Sequence, residues 1–432
     1  MFYLSEYGVF QKSDTNEQVS LHKLKVDKLV WRELEALADK MSNEVLEYIS
    51  PKKIKIKSYL GVISAGSIHI EILPKTSNSL NVDLDDNRKV LLKMLSKVHN
   101  LKLLESTDAS LQVFDKPLLE ILVERYLYLL LNVVKKGIKK EYVSISSQEK
   151  FLKGRLLLSR QLREPAHNLD KNHIEYDELT FNRAENRLIK TSLLILNKRF
   201  FSNKVQKLCR ELSFIFDEVP QSTNIDIDFS LWKTDRDMSY YNPLIPYLKF
   251  IIGDNSPQSL KGQHQGVSFL FPIEELFEKY VYEVLKDKLI TPYRLRQQIA
   301  SKYMATHKER NVFNLRPDLA IFTESQCVSI LDTKWKLLDN TNLHIDNTNL
   351  HNKGRFNSYY GIKQSDMFQL YTYGCNYLNG SGSLFLIYPR NENFKEALPP
   401  FEFNSDGLSL HIIPFDINTD RIDLDFITSK IN

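Results

Sequence analysis

Between residues 315 and 335 the chain carries two short apolar runs, Leu315-Arg316-Pro317-Asp318-Leu319-Ala320-Ile321-Phe322 and Val328-Ser329-Ile330-Leu331-Asp332-Thr333-Lys334-Trp335, separated by polar residues. Short apolar runs with such boundaries predict buried strands, and two in succession predict neighbours in one sheet. Ahead of them, Ile273, Leu276, Phe277, Tyr280, Val281, Val284 and Leu285 recur at helical spacing and predict an amphipathic helix. After them, Ser365-Asp366-Met367-Phe368-Gln369-Leu370-Tyr371-Thr372-Tyr373-Gly374 predicts a second helix, with Ser365 or Asp366 as N-cap.

The same patterning divides the whole chain into three regions. Residues 1–140 open with strand-like segments, among them 59–63 and 68–73 around Ala65-Gly66-Ser67. They continue into helices near 87–98 and 117–134, a mixed α+β platform. Residues 141–262 read as a mainly helical connector whose clearest element spans 186–196. Turn-rich stretches at 253–258 and 262–266 mark a boundary, and 263–432 forms the last region. At 432 residues with 42% hydrophobic content, two or three domains with full cores are expected.

Composition narrows the class. Cys209, Cys327 and Cys375 have neither CxxC nor Cys/His spacing, which argues against a disulfide framework or a zinc site and suits a reducing cytoplasm. The N-terminus lacks the basic and apolar regions of a signal peptide. The most apolar stretch, 118–134, contains Glu120, Glu124 and Arg125, so it predicts a buried helix and no membrane partner. A net charge of +4 is small but uneven. Lys135, Lys136, Lys139, Lys140, Lys150, Lys153, Arg155, Arg160 and Arg163 face only Glu141 and Glu149 in their stretch, and a second basic stretch covers 286–310. Residues of this kind neutralise phosphates without reading sequence, although a solvated charged face is the plainer alternative.

The candidate chemistry lies in the two apolar runs. Side chains at i and i+2 of a strand share a face roughly 6.5 to 7 Å apart, so Asp332 and Lys334 project together; a strand roughly 4.8 Å away brings Asp318 beside them. Two carboxylates and an ammonium so placed can hold Mg²⁺ and serve a phosphate, which suggests a metal-dependent nuclease. A solvated Asp and Lys at a strand end is the bland alternative. Glu278 stands at the edge of the first helix's apolar stripe, one turn after Glu274. Gln369 and Tyr373 share a helix face at i and i+4.

In spacing, P-D-x13-D-x-K resembles the PD-(D/E)xK nuclease superfamily, and Gln369 and Tyr373 match the Q-x-x-x-Y element of its RecB-like members. Further segments extend the likeness: Tyr59-Leu60-Gly61-Val62-Ile63, Ile68 to Lys75, Tyr176 to Lys190, and Leu270-Phe271-Pro272 ahead of Leu276-Phe277-Glu278. Together they resemble McrC, the nuclease subunit of McrBC-type restriction systems. The resemblance implies an α/β fold: an α+β N-terminal platform, a mainly helical middle, and a PD-(D/E)xK restriction-endonuclease-like α/β domain. It also implies Asp318 and Asp332 as Mg²⁺ ligands, Glu278 as a further ligand or water-positioning group, Lys334 as the electrostatic residue, and Gln369 and Tyr373 as supports on the DNA side. The expected partners are double-stranded DNA and a McrB-like hexameric AAA+ GTPase, docked through the N-terminal region 1–140. No G-x-x-x-x-G-K-[ST] phosphate loop occurs in the chain itself. The competing reading is a non-catalytic DNA-binding regulator of an AAA+ NTPase. A tandem repeat, Asp339-Asn340-Thr341-Asn342-Leu343-His344 and Asp346-Asn347-Thr348-Asn349-Leu350-His351, is read as an insertion near the DNA entrance.

Overall fold

The computed structural model describes residues 2–40, 45–65, 68–76, 84–98, 116–163, 165, 170–198, 201–233, 235–252, 267–324, 326–339, 359–403 and 407–431. The turn-rich boundary at 253–266 and the tandem repeat beyond Asp339 lie outside the described residues. Where the sequence predicts three regions, 1–140, 141–262 and 263–432, the chain packs as two compact units, Met1–Leu118 with Gly266–Asn432, and Leu119–Gln265. A strand pairing that periodicity cannot report is the cause. Val267–Pro272 runs antiparallel to Tyr59–Ala65, with Leu270 opposite Gly61, so distant parts of the chain share a four-stranded sheet in the order Phe2–Ser5, Ile68–Leu73, Tyr59–Ala65, Val267–Pro272.

Within the first unit, Glu71 of the Ile68–Leu73 strand is fully buried, and its carboxylate is 2.8 Å from the buried Arg88 guanidinium on the Leu84–Val98 helix. A buried charge needs such a partner, because removing one member strands the other without solvent. The C-terminal part of this unit is a six-stranded sheet in the order Tyr293–Gln297, Leu319–Thr323, Gln326–Thr333, Ser381–Pro389, Gly407–Phe415, Phe401–Glu402. The two predicted strands are the second and third of these, antiparallel, with Leu319 opposite Leu331. Gln326–Thr333, Ser381–Pro389 and Gly407–Phe415 are mutually parallel. Strands covered on both sides read as near-continuous apolar runs, which is why Leu384, Phe385, Leu386 and Ile387 are all fully buried. The predicted helix Gln364–Tyr377 lies on this sheet, packing Leu370, Tyr373 and Tyr377 into its core. Gly374 permits the close approach, since a Cβ there would come within 2.8 Å of Leu408.

The second unit contains the predicted helices Leu118–Lys136 and Ala184–Asn197 among others, but it is not simply helical. Glu141–Glu149 and Asn172–Thr180 pair antiparallel along their full length, from Asn172 opposite Glu149 to Thr180 opposite Glu141. Asp177 and Glu178 therefore stand on the second of these strands. Arg187 meets Asp228 at 2.5 Å and Arg183 meets Glu185 at 3.2 Å. These are structural salt links inside the unit. Among the described residues no helix is long and apolar enough to cross a membrane, and all three cysteines are free.

Candidate active site

Asp318 follows Pro317, which has no N–H to give to a ladder, and stands one residue before the Leu319–Leu331 pair. Its carboxylate takes over there: Oδ2 accepts the Thr333 backbone N–H at 2.8 Å and the Thr333 hydroxyl at 2.9 Å. Asp332 sits one residue earlier on the same inner strand and is fully buried. Lys334 stays in the sheet because its N–H donates to the Ile387 carbonyl at 3.0 Å, and its ammonium lies 2.5 Å from Asp332 Oδ2. The sheet thus unites Asp318, Asp332 and Lys334, as the alternation of side chains along a strand predicts.

Electrostatics within this cluster are tense. Burial, then the neighbouring Asp318, push the Asp332 carboxyl up to about 7 against the pull of Lys334. Burial opposes the Lys334 ammonium, but Asp332 and then Asp318 outweigh it and leave its pKa above the ordinary value. Asp332 Oδ1 is buried and has no hydrogen-bond partner among the described residues. A buried oxygen left without a donor is costly unless something else neutralises it.

Glu278 is carried by the Ile273–Lys288 helix and is buried, at 8% exposure. It is electrostatically coupled to Asp318, yet the structure does not gather it with the other two carboxylates. Its Oε1 accepts from the amides of Gln298 at 2.9 Å and Gln297 at 3.2 Å. Burial and then Asp318 raise its pKa. Among the described residues no three His, Cys, Asp or Glu side chains are close enough to hold a metal ion together. The residues that fit a hard divalent cation in this arrangement are Asp318 and Asp332, the latter offering an unpartnered buried oxygen.

On the Gln364–Tyr377 helix, the Gln369 amide donates to the Tyr373 hydroxyl at 2.9 Å, and that hydroxyl donates to the Arg316 carbonyl at 3.1 Å. The pair thus holds the segment entering Pro317-Asp318. The expected N-cap is corrected here. Lys363 occupies it, with no side-chain cap, and Ser365 and Asp366 lie in the first turn. There Asp366 suits the positive end of the helix dipole and adds its field to Asp332 and Lys334.

Gln298 is a site residue that sequence patterning does not reveal. Its backbone is left-handed at φ 47°, its N–H donates to the Asp318 carbonyl at 2.8 Å, its amide holds Glu278, and its Oε1 accepts from Arg316. A non-glycine residue in that conformation, tied at both ends to candidate site residues, is a positioning device. The basic stretches are partly engaged already: Lys153 stacks over Tyr176 at 3.8 Å, Lys140 over Phe181 at 4.1 Å, and Arg296 over Phe322 at 4.3 Å.

Fold and site together define a mixed α/β protein whose C-terminal sheet carries a partly buried two-carboxylate, one-lysine centre. A family model described as "McrBC 5-methylcytosine restriction system component" matches residues 54–389, and the chain belongs to that family. The expected likeness to McrC agrees with this. One curated relative, the type IV methyl-directed restriction enzyme EcoKMcrBC of Escherichia coli (strain K12), is 24% identical over 216 residues; the match takes in 48% of this chain and 60% of the relative. The chain thus spans less than two thirds of that relative's length. A chain of the refined half-complex from a tetradecameric assembly of Thermococcus gammatolerans McrB AAA+ hexamers with bound McrC is 19% identical. It aligns over 96% of this chain and 94% of its own length with a TM-score of 0.65, a likeness of fold.

Proposed function

We propose that the chain is the DNA-cleaving subunit of an McrBC-type restriction complex, a Mg²⁺-dependent endonuclease that docks on and stimulates a McrB-like hexameric AAA+ GTPase. The convergence of Asp318, Asp332 and Lys334, with Asp332 Oδ1 buried and unpartnered, is the observation that carries this reading. Family membership and the likeness to a chain from an assembly of McrB hexamers with bound McrC support it.

Asp318 and Asp332 would hold the cation. Bound there, Mg²⁺ would polarise the attacking water and offset charge on the phosphate. Burial and mutual repulsion raise the pKa of Asp332, so the pair disfavours full ionisation until a positive charge arrives. Lys334 presents a second positive charge, most valuable as negative charge builds on the phosphate. Gln298, through Asp318 and Glu278, and Tyr373, through the Arg316 carbonyl, keep the site's geometry; Gln369 steadies Tyr373.

The test is plasmid cleavage by the chain reconstituted with its AAA+ partner, GTP and Mg²⁺. Asp318→Ala and Asp332→Ala should each abolish cutting, while the isolated chain hydrolyses no nucleotide. Wild-type cutting by Asp332→Ala would overturn the site assignment. DNA binding without any cutting by the wild-type complex would favour the regulator reading.

A further inference from the structure

Beside the cluster opens a cavity of about 390 Å³, the size range of small-ligand sites. Lys334 lines it, so the cavity is continuous with the proposed catalytic centre, and Lys75, Lys336 and Lys363 line it as well. Lys336 donates to the Gly361 carbonyl, which anchors its ammonium. Among the described residues the Lys75 and Lys363 ammonium groups close no ion pair. Tyr388 also lines the cavity, is 1% exposed, and its hydroxyl has no hydrogen-bond partner among the described residues. A buried hydroxyl of this kind ordinarily finds a partner in the folded protein or in what the protein binds.

Three acids, Glu6, Glu274 and Asp366, line the wall against the four lysines Lys75, Lys334, Lys336 and Lys363. Glu6 Oε1 accepts from the Trp335 indole at 2.6 Å and from the Lys75 N–H at 2.9 Å, and burial pushes its pKa up to about 7, withdrawing part of its charge at neutral pH. Burial, then the neighbouring Lys363, lower the Lys336 pKa against the opposing pull of Asp366, so the two lysines approach as like charges that a bound anion would separate. Several ammonium groups and an unpartnered hydroxyl meeting in one cavity is the chemistry of phosphate recognition.

We propose that this cavity seats a phosphodiester of the DNA strand next to the one being cut, with Lys75, Lys336, Lys363 and the Tyr388 hydroxyl as its recognition groups. The assignment rests on the nuclease reading for its substrate, but its test is separate. Binding of the full-length chain to a labelled DNA duplex is measured in EDTA, where nothing is cut, across a series of salt concentrations. The double variant Lys75→Ala/Lys363→Ala should bind about tenfold more weakly, with a salt slope reduced by about one, because phosphate contacts set both quantities. Tyr388→Phe keeps the buried ring and should weaken binding several-fold without changing the slope, since it removes a donor and no charge. Unchanged affinity in both variants would overturn the proposal. A second arm replaces the duplex with a 5′-mononucleotide or inorganic phosphate. If those bind through Lys363 while duplex affinity is unaffected by the variants, the cavity serves a free phosphate ligand and the phosphodiester assignment is wrong. Failure of the wild-type complex to cut DNA in Mg²⁺ would sink the nuclease reading alone, and the binding series would still decide the cavity.

Discussion

Asp332→Asn should trade cleavage for stability. Asp332 is fully buried, its Oδ1 has no donor among the described residues, and burial pushes its pKa up to about 7 from the ordinary 3.8. The folded state therefore binds the proton more tightly than the unfolded chain does. Stability associated with this group is greatest below the unfolded value, falls as pH rises through the interval, and is lowest above about 7. Across that interval the cost of keeping the carboxylate charged in the fold is at most about 4 kcal/mol. Asparagine has nearly the same shape and no charge to desolvate. Its destabilisation by the nearby Lys334 ammonium is already reflected in the same balance, because the attraction to Lys334 lowers the Asp332 pKa. Urea unfolding of the wild-type and Asp332→Asn chains in EDTA, at pH 5 and pH 8, measures the difference. The variant should be the more stable at pH 8 by a few kcal/mol, with most of that margin gone at pH 5. A variant less stable at pH 8, or a margin independent of pH, would refute the reasoning. The same variant should not cut DNA in Mg²⁺.

Lys334→Ala should lower cleavage by roughly 10² to 10³, as loss of comparable transition-state charge does, while stimulating the partner's nucleotide hydrolysis as well as wild type; paired phosphate-release and plasmid assays on the same complexes check this, and parallel loss of both would contradict it. Gln298→Asn tolerates the left-handed backbone but does not reach Glu278, so cleavage should drop by about tenfold with the unfolding midpoint nearly unmoved, the usual scale for groups that orient ligating side chains. Tyr373→Phe keeps the packed ring and loses the bonds to Gln369 and the Arg316 carbonyl, costing about 1 kcal/mol in denaturant unfolding and slowing cleavage; unaltered values in both assays would remove Tyr373 from the positioning set.

Much of the site is local and therefore legible in the chain. Two apolar runs with Asp and Lys two residues apart specify a pleated strand with both charges on one face, and the helical recurrence around Glu278 and the i, i+4 pair Gln369 and Tyr373 specify their helices. These inferences need only covalent geometry and the requirement to bury apolar surface. The hydrogen bond from Gln369 to Tyr373 follows from helix geometry alone.

Everything that depends on which surfaces meet was decided only in the tertiary structure. No periodicity announces that Val267–Pro272 completes a sheet begun by Phe2–Ser5, Ile68–Leu73 and Tyr59–Ala65, or that Glu6 reaches Trp335 across most of the chain's length. The long antiparallel pair inside the mainly helical middle was equally hidden, because its strands are polar and largely exposed, and the alternations Val143-Ser144-Ile145 and Ile174-Glu175-Tyr176 are too short to stand out. Gln298 and Asp366 join the site through a left-handed turn and a helix that starts at Gln364, features set by packing around them. The raised pKa values of Asp332 and Glu278 belong to the same category: a carboxylate's ionisation responds to the solvent and charges it is folded against, and the sequence names neither.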